Sequence, residues 1–146
     1  MIPNRIVLDT NVCLDLFVFR DPRWQNLLAA LQDGSVHAVT RADCRREWQI
    51  VLGYAHLRLD EAARASCEAA FDAVIRLLPD DELKPLADVR LPICRDKDDQ
   101  KFLELARDAG ADILITKDKA LLKLARKSVK WGLFHIVAPE AWPLAA

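Results

Sequence analysis

The sequence predicts an α/β protein, a three-layer α/β/α sandwich with a mostly parallel central sheet. Short runs of branched apolar residues, such as Ile6-Val7-Leu8 and Ile113-Leu114-Ile115, alternate with longer segments of helical periodicity. Parallel strands joined by such segments need right-handed crossovers, which put helices on both faces of the sheet. The chain has 146 residues, 52% hydrophobic and 29% charged. That suits one compact domain, residues 1–146, and excludes a disordered chain.

Arg5 to Leu8 reads as a buried first strand. Asp21 then offers an N-cap, Pro22 a first helical position and Gly34 a C-terminal stop. Between them Trp24, Leu27, Leu28 and Leu31 fall on one helical face. Val36 to Thr40 is a second strand, and residues 42 to 54 form a helix bearing Glu47, Trp48, Val51 and Leu52. Asp60 caps a longer helix reaching about Leu78, with Phe71, Val74 and Leu78 in its stripe. Pro79, Pro85 and Pro92 leave room for only a short strand in the stretch that follows. A helix beginning at Asp98 or Asp99 ends at Gly110. Asp112 to Thr116 is a strand, residues 119 to 126 a helix, and Phe134 to Val137 a last strand. Pro139 opens a final turn, and the last four residues read as a short tail.

Four acids stand at the edges of these elements: Asp9, Glu47, Asp99 and Asp118. Where parallel strands end, such side chains can meet in one crevice. Gathered carboxylates repel unless a cation sits among them, which points to a divalent-metal site. Each residue also has a plainer reading. Asp9 opens the turn-like Asp-Thr-Asn, with Asn11 beside it; Glu47 can be a solvated helix charge; Asp118 can cap the next helix. The run Arg95-Asp96-Lys97-Asp98-Asp99 is more specific, because one capping aspartate does not account for three acids in four residues. Thr116 can hold a carboxylate or a bound water through its hydroxyl.

In order along the chain, Leu8-Asp9-Thr10-Asn11-Val12, Glu47 with Val51-Leu52, Arg95-Asp96-Lys97-Asp98-Asp99 with Phe102-Leu103, and Ile115-Thr116-Lys117-Asp118 with Leu121-Leu122 resemble the PIN-domain family. The resemblance spans roughly residues 4 to 138 and is nearest to bacterial toxins of toxin–antitoxin systems. It implies a Mg²⁺- or Mn²⁺-dependent ribonuclease whose acidic ligands map onto Asp9, Glu47, Asp99 and Asp118, with Asp9 and Asp99 as direct ligands. Glu47 and Asp118 then bind directly, through water, or as part of a second metal site. Asn11, Thr116, Asp96 and Asp98 support the site. Lys97 stands where relatives usually carry proline, and Lys117 where glycine is frequent. The resemblance further implies an RNA substrate, a small antitoxin that inserts a basic side chain among Asp9, Glu47 and Asp99, and a homodimer. Phe19, Trp24 and Trp48 are candidate walls for the rest of such a partner.

The net charge of −1 gives no global attraction to nucleic acid, so local patches must supply it. Arg41, Arg45 and Arg46 precede Glu47, and Lys117, Lys119, Lys123, Arg126, Lys127 and Lys130 follow the fourth strand. These groups can guide a phosphate backbone or simply solvate a helix face. His37, His56 and His135 have no motif context. Cys13, Cys44, Cys67 and Cys94 form no Cys-x-x-Cys pair, and no export signal precedes them. They read as reduced thiols of a cytoplasmic protein. No apolar run reaches the roughly 18 residues of a membrane span.

Two rival readings use the same residues. An Asp-based phosphatase needs a second aspartate two residues after Asp9, where Asn11 stands; a receiver domain needs paired acids near the first strand. The other rival is a non-catalytic RNA- or protein-binding module of the same fold.

Overall fold

Ile6, Val7 and Leu8 point alternately to opposite sides of the first strand, and all three are buried. A strand buried on both faces belongs in the middle of a parallel sheet. In a computed structural model, described for residues 4–86 and 88–142, β1 (Asn4–Leu8) is that central strand. β2 (Val36–Thr40) and β4 (Ile113–Ile115) flank it, with β3 (Ile75–Leu77) and β5 (His135–Val137) at the edges. The order is β3-β2-β1-β4-β5 and every pairing is parallel.

Each face of the sheet builds its own core. Ile6, Leu8, Ala38 and Ile115 pack under α1 (Thr10–Phe17), α2 (Gln25–Asp33), α3 (Ala42–Leu52) and α4 (Glu61–Val74). Trp48, Phe71 and Phe17 anchor this layer, with Trp48 and Phe71 stacked at 5.2 Å and Phe17 edge-on to both. Val7, Val39, Leu114 and Ile136 face the other way, onto Phe102, Leu103 and Ala106 of α5 (Gln100–Asp108) and Leu121 of α6 (Lys119–Leu122). This is the expected three-layer sandwich. No helix among the described residues is long and apolar enough to cross a membrane.

Several elements differ from the sequence expectation. α1 was not expected; its nearly unbroken apolar run hides any helical stripe. Asp21 caps a 3-10 turn at Pro22–Trp24 before α2 begins, and Gly34 closes α2 with φ 81°, a left-handed conformation that suits glycine. Asp60 does cap α4, but the helix stops at Val74 instead of continuing to about Leu78. Ile75–Leu77 becomes β3, because pairing with Ala38, Val39 and Thr40 overrides the helical stripe. The expected short strand between Pro79 and Pro92 is absent among the described residues, where only a 3-10 turn at Asp80–Glu82 forms. The expected helix over 119–126 is two short helices, α6 and α7 (Ala125–Lys130). Pro139–Ala141 forms the final turn, and the supposed tail of four residues lies outside the described part of the chain.

Candidate metal centre

The chain steps outward from β1 to β2 and β3, then crosses back to β4 on the other side of β1, so the β1–β4 boundary is a switch point where a crevice opens at the strand ends. Asp9 is the first residue past β1 and sits in that crevice, only 4% exposed. Its backbone still follows the sheet, donating to the Ile115 carbonyl at 3.0 Å. Its side chain caps α1, with Oδ1 accepting from the Thr10 amide at 2.6 Å. Oδ2 accepts from the Thr116 hydroxyl at 2.7 Å. Thr116 Oγ1 in turn accepts from the Asp118 amide at 3.0 Å. Thr116 therefore holds the strand-end carboxylate and the following turn together.

Asp118 caps α6, its Oδ1 accepting from the Ala120 amide at 2.8 Å. Asp99 ends the 3-10 turn Lys97–Asp99, whose own cap is Asp96, with Oδ1 accepting from the Asp98 amide at 3.0 Å. The helix expected to begin at Asp98 or Asp99 starts as α5 at Gln100, with Asp99 at its N-cap position but making no side-chain capping bond, which leaves that carboxylate to the acidic cluster. One oxygen from each of Asp9, Asp99 and Asp118 lies within 4.8 Å of the others. For Asp118, capping and membership in the cluster hold together.

The electrostatics record this crowding. Burial pushes Asp9 up to about 6, against hydrogen bonds from Thr116 and Thr10 that favour its charged form; the charges of Glu47 and Asp118 raise it further. Burial, the hydrogen bond to Asp118 and the charge of Asp9 push Asp99 up to about 8. The same bond holds Asp118 below its ordinary range. Asp99 and Asp118 thus hold a proton between them more readily than separate carboxylates would.

Glu47 stands beside this triad with both oxygens engaged. Thr10 donates its hydroxyl to Oε2, and Lys101 Nζ lies 2.8 Å from Oε1. Lys101 carries no motif signal; at the sequence level it is an ordinary helix lysine. Asn11 Oδ1 accepts weakly from the Lys117 amide at 3.4 Å. Of the basic candidates, Arg45 is forked onto Asp72 and Lys117 is paired with buried Asp15 at 2.7 Å. Asp15 also accepts from the Trp24 indole at 3.1 Å. Among the described residues no ion pair involves Arg46, Lys119 or Lys123, and all three are exposed. Of the supposed partner walls, Trp48 and Trp24 are core residues, while Phe19 is 58% exposed.

The donor set fits a hard divalent cation. All three clustered groups are carboxylates, the ligand type preferred by Mg²⁺ and Mn²⁺. Asp9 and Asp99 are raised first by burial and then by the charges of their neighbours, and such an ion would favour the ionised form of both.

A chain from the crystal structure of VapBC2 from Rickettsia felis, bound to a DNA fragment from their promoter, has a similar fold. The match has a TM-score of 0.62 at 14% identity and covers 92% of this chain and 98% of that one. No curated protein matches the sequence. The family model for the PIN domain matches residues 5–120. The matched span contains Asp9, Glu47, Asp99 and Asp118 and most of the sheet that gathers them, and the chain belongs to the PIN domain family.

Proposed function

We propose that this protein is a metal-dependent endoribonuclease and the toxin of a toxin–antitoxin pair. The convergence of Asp9, Asp99 and Asp118 from three separate elements at one switch point carries the reading. Membership in the PIN family supports it. Asp9, Asp99 and Asp118 would hold Mg²⁺ or Mn²⁺, and Glu47 lines the same crevice. Such an ion, when bound, supplies a more acidic water and neutralises charge on the scissile phosphodiester.

The chain's own residues prepare that site. Thr116 and the Thr10 amide fix the Asp9 carboxylate in one rotamer, so ion binding orders little that is not already ordered. Asp99 and Asp118 hold a proton between them that a bound cation would have to displace, so binding would be pH-dependent. Exposed Arg46, Lys119 and Lys123 are the basic groups best able to meet an RNA backbone. The partner is a small antitoxin protein; the similarly folded chain from VapBC2 supports this, since that structure is of VapBC2 on promoter DNA. The protein acts in the cytoplasm, as one domain.

Incubating the purified protein with end-labelled single-stranded RNA tests the activity. Cleavage in Mn²⁺ that stops in EDTA is expected; equal cleavage in EDTA, or none with any divalent ion, refutes it. Expression with and without the adjacent small reading frame tests the partner. Slow growth relieved by co-expression is expected, and equal growth in both removes the toxin reading.

A further inference from the structure

Glu47 is the acid of the site whose surroundings differ most from those of the other three. Its Oε1 meets the Lys101 ammonium at 2.8 Å across a sequence separation of 54 residues. The pair therefore ties α3 to α5 at the rim of the crevice. Thr10, itself nearly buried, donates to Oε2. The ammonium is in turn held from two other sides. It donates to the Asp98 carbonyl, one residue before Asp99. It also lies 5.3 Å from the centre of the Phe102 ring, within cation–π range. Both side chains are mostly sheltered, with 20% and 26% of their surfaces exposed. The ion pair therefore has three further contacts and is largely withdrawn from solvent, unlike an isolated surface pair.

Phosphodiester-cleaving sites that use two metal ions set them about 3.5–4 Å apart, each held by its own share of carboxylates. Here the carboxylates divide differently. Asp9, Asp99 and Asp118 share one centre. Glu47 already has the unit positive charge of the Lys101 ammonium against it. A second divalent ion would have to break the Lys101 contact and then sit against the displaced ammonium, at a Coulombic cost.

We propose that the Lys101 ammonium is a built-in cation that takes the place of a second metal ion, so that the centre binds one divalent ion, on Asp9, Asp99 and Asp118, while Glu47 serves to seat Lys101. The inference rests on the metal-site reading above and narrows it. It makes Lys101 a positioning residue, fixed by Glu47 beside the bound ion.

Counting Mn²⁺ tests this without reference to activity. The free-ion electron paramagnetic resonance signal is followed as Mn²⁺ is titrated into metal-free protein. The wild-type protein is expected to bind one ion per chain. Lys101→Gln frees Glu47 and is expected to bind two, whereas Lys101→Arg keeps the charge and is expected to bind one. Two ions in the wild-type protein would overturn the proposal and leave the metal-site reading standing. No bound ion in the wild-type protein would overturn both. A single ion in Lys101→Gln, with an unchanged circular dichroism spectrum, would show that Lys101 is not what excludes the second. The wild-type count decides the stoichiometry even if Lys101→Gln fails to fold.

Discussion

The Thr116 hydroxyl donates to Asp9 Oδ2 at 2.7 Å across the junction of β1 and β4. The contact joins two strand ends 107 residues apart in sequence. It also stabilises the ionised form of a carboxylate that burial would otherwise neutralise. Thr116→Val keeps the shape and removes the donor. Asp9 should then titrate at still higher pH, and Mn²⁺ affinity at pH 7 should fall about 10–100-fold, the usual scale for a lost partner of a ligand. Stability should drop by about 1–3 kcal/mol through the unsatisfied buried carboxylate. Calorimetric Mn²⁺ titration and urea unfolding measure the two effects; unchanged affinity would deny Thr116 its positioning role.

The metal-free protein should lose stability as pH rises. Asp9 has a folded value of about 6 against an ordinary 3.8, and Asp99 about 8. A raised folded value means that the folded state binds more protons than the unfolded one between those limits. The stabilisation is then fully present below about pH 4 and is lost as pH climbs toward 8. The Asp9 gap alone corresponds to about 3 kcal/mol, lost by pH 7. Asp99 is more open to solvent, and its screened contribution extends the decline upward. Asp118, held low, works in the opposite sense and loses its contribution as pH falls below the ordinary carboxylate range. Urea midpoints in EDTA should therefore be lower at pH 8 than at pH 5, and saturating Mn²⁺ should reverse the order. A higher midpoint at pH 8 in EDTA would contradict the crowding described for the site.

All four cysteines are buried and free. Burial pushes their thiols up, which leaves little reactive thiolate at neutral pH. Thiol titration of the unreduced protein in denaturant should find four groups, and the folded protein should react far more slowly. Fewer than four groups in denaturant would indicate a disulfide and argue against a reducing compartment.

RNA binding should depend on the lysines that lack an ion-pair partner. Lys119→Ala with Lys123→Ala should weaken binding of any RNA sequence and flatten the salt dependence by about one unit of slope per lysine. Arg45→Ala should do much less, because its guanidinium is already committed to Asp72. Equal losses from both changes would assign the RNA path to the Arg45 side of the crevice.

Much of this architecture is legible in the sequence because local and global signals agree there. Gly34 stops α2, Asp60 starts α4, and the apolar runs at Ile6-Val7-Leu8 and Ile113-Leu114-Ile115 are strands. The exceptions are places where one residue does two jobs or where tertiary pairing decides. Asp9 is both the cap of α1 and a member of the acidic triad, and reading it only as a turn or ligand hides the helix it starts. Ile75 and Leu78 continue the apolar stripe of α4, yet Ile75–Leu77 is fixed as an edge strand by β2. Asp9, Asp99 and Asp118 stand out in the sequence by their places at element edges, and the fold brings those three together. Lys101 does not stand out, because nothing local separates it from a solvated helix lysine; its role exists only once α3 and α5 are packed together.

The central claim is that the carboxylate charges of the triad drive RNA cleavage. It is tested most directly by comparing wild-type protein with Asp9→Asn and Asp99→Asn on labelled single-stranded RNA in saturating Mn²⁺. Both changes keep side-chain size and remove charge, so both proteins should stay folded by circular dichroism. Each should lose more than about a hundredfold in cleavage rate, beyond what loss of a merely supporting contact causes. Full activity in either folded variant would contradict the account.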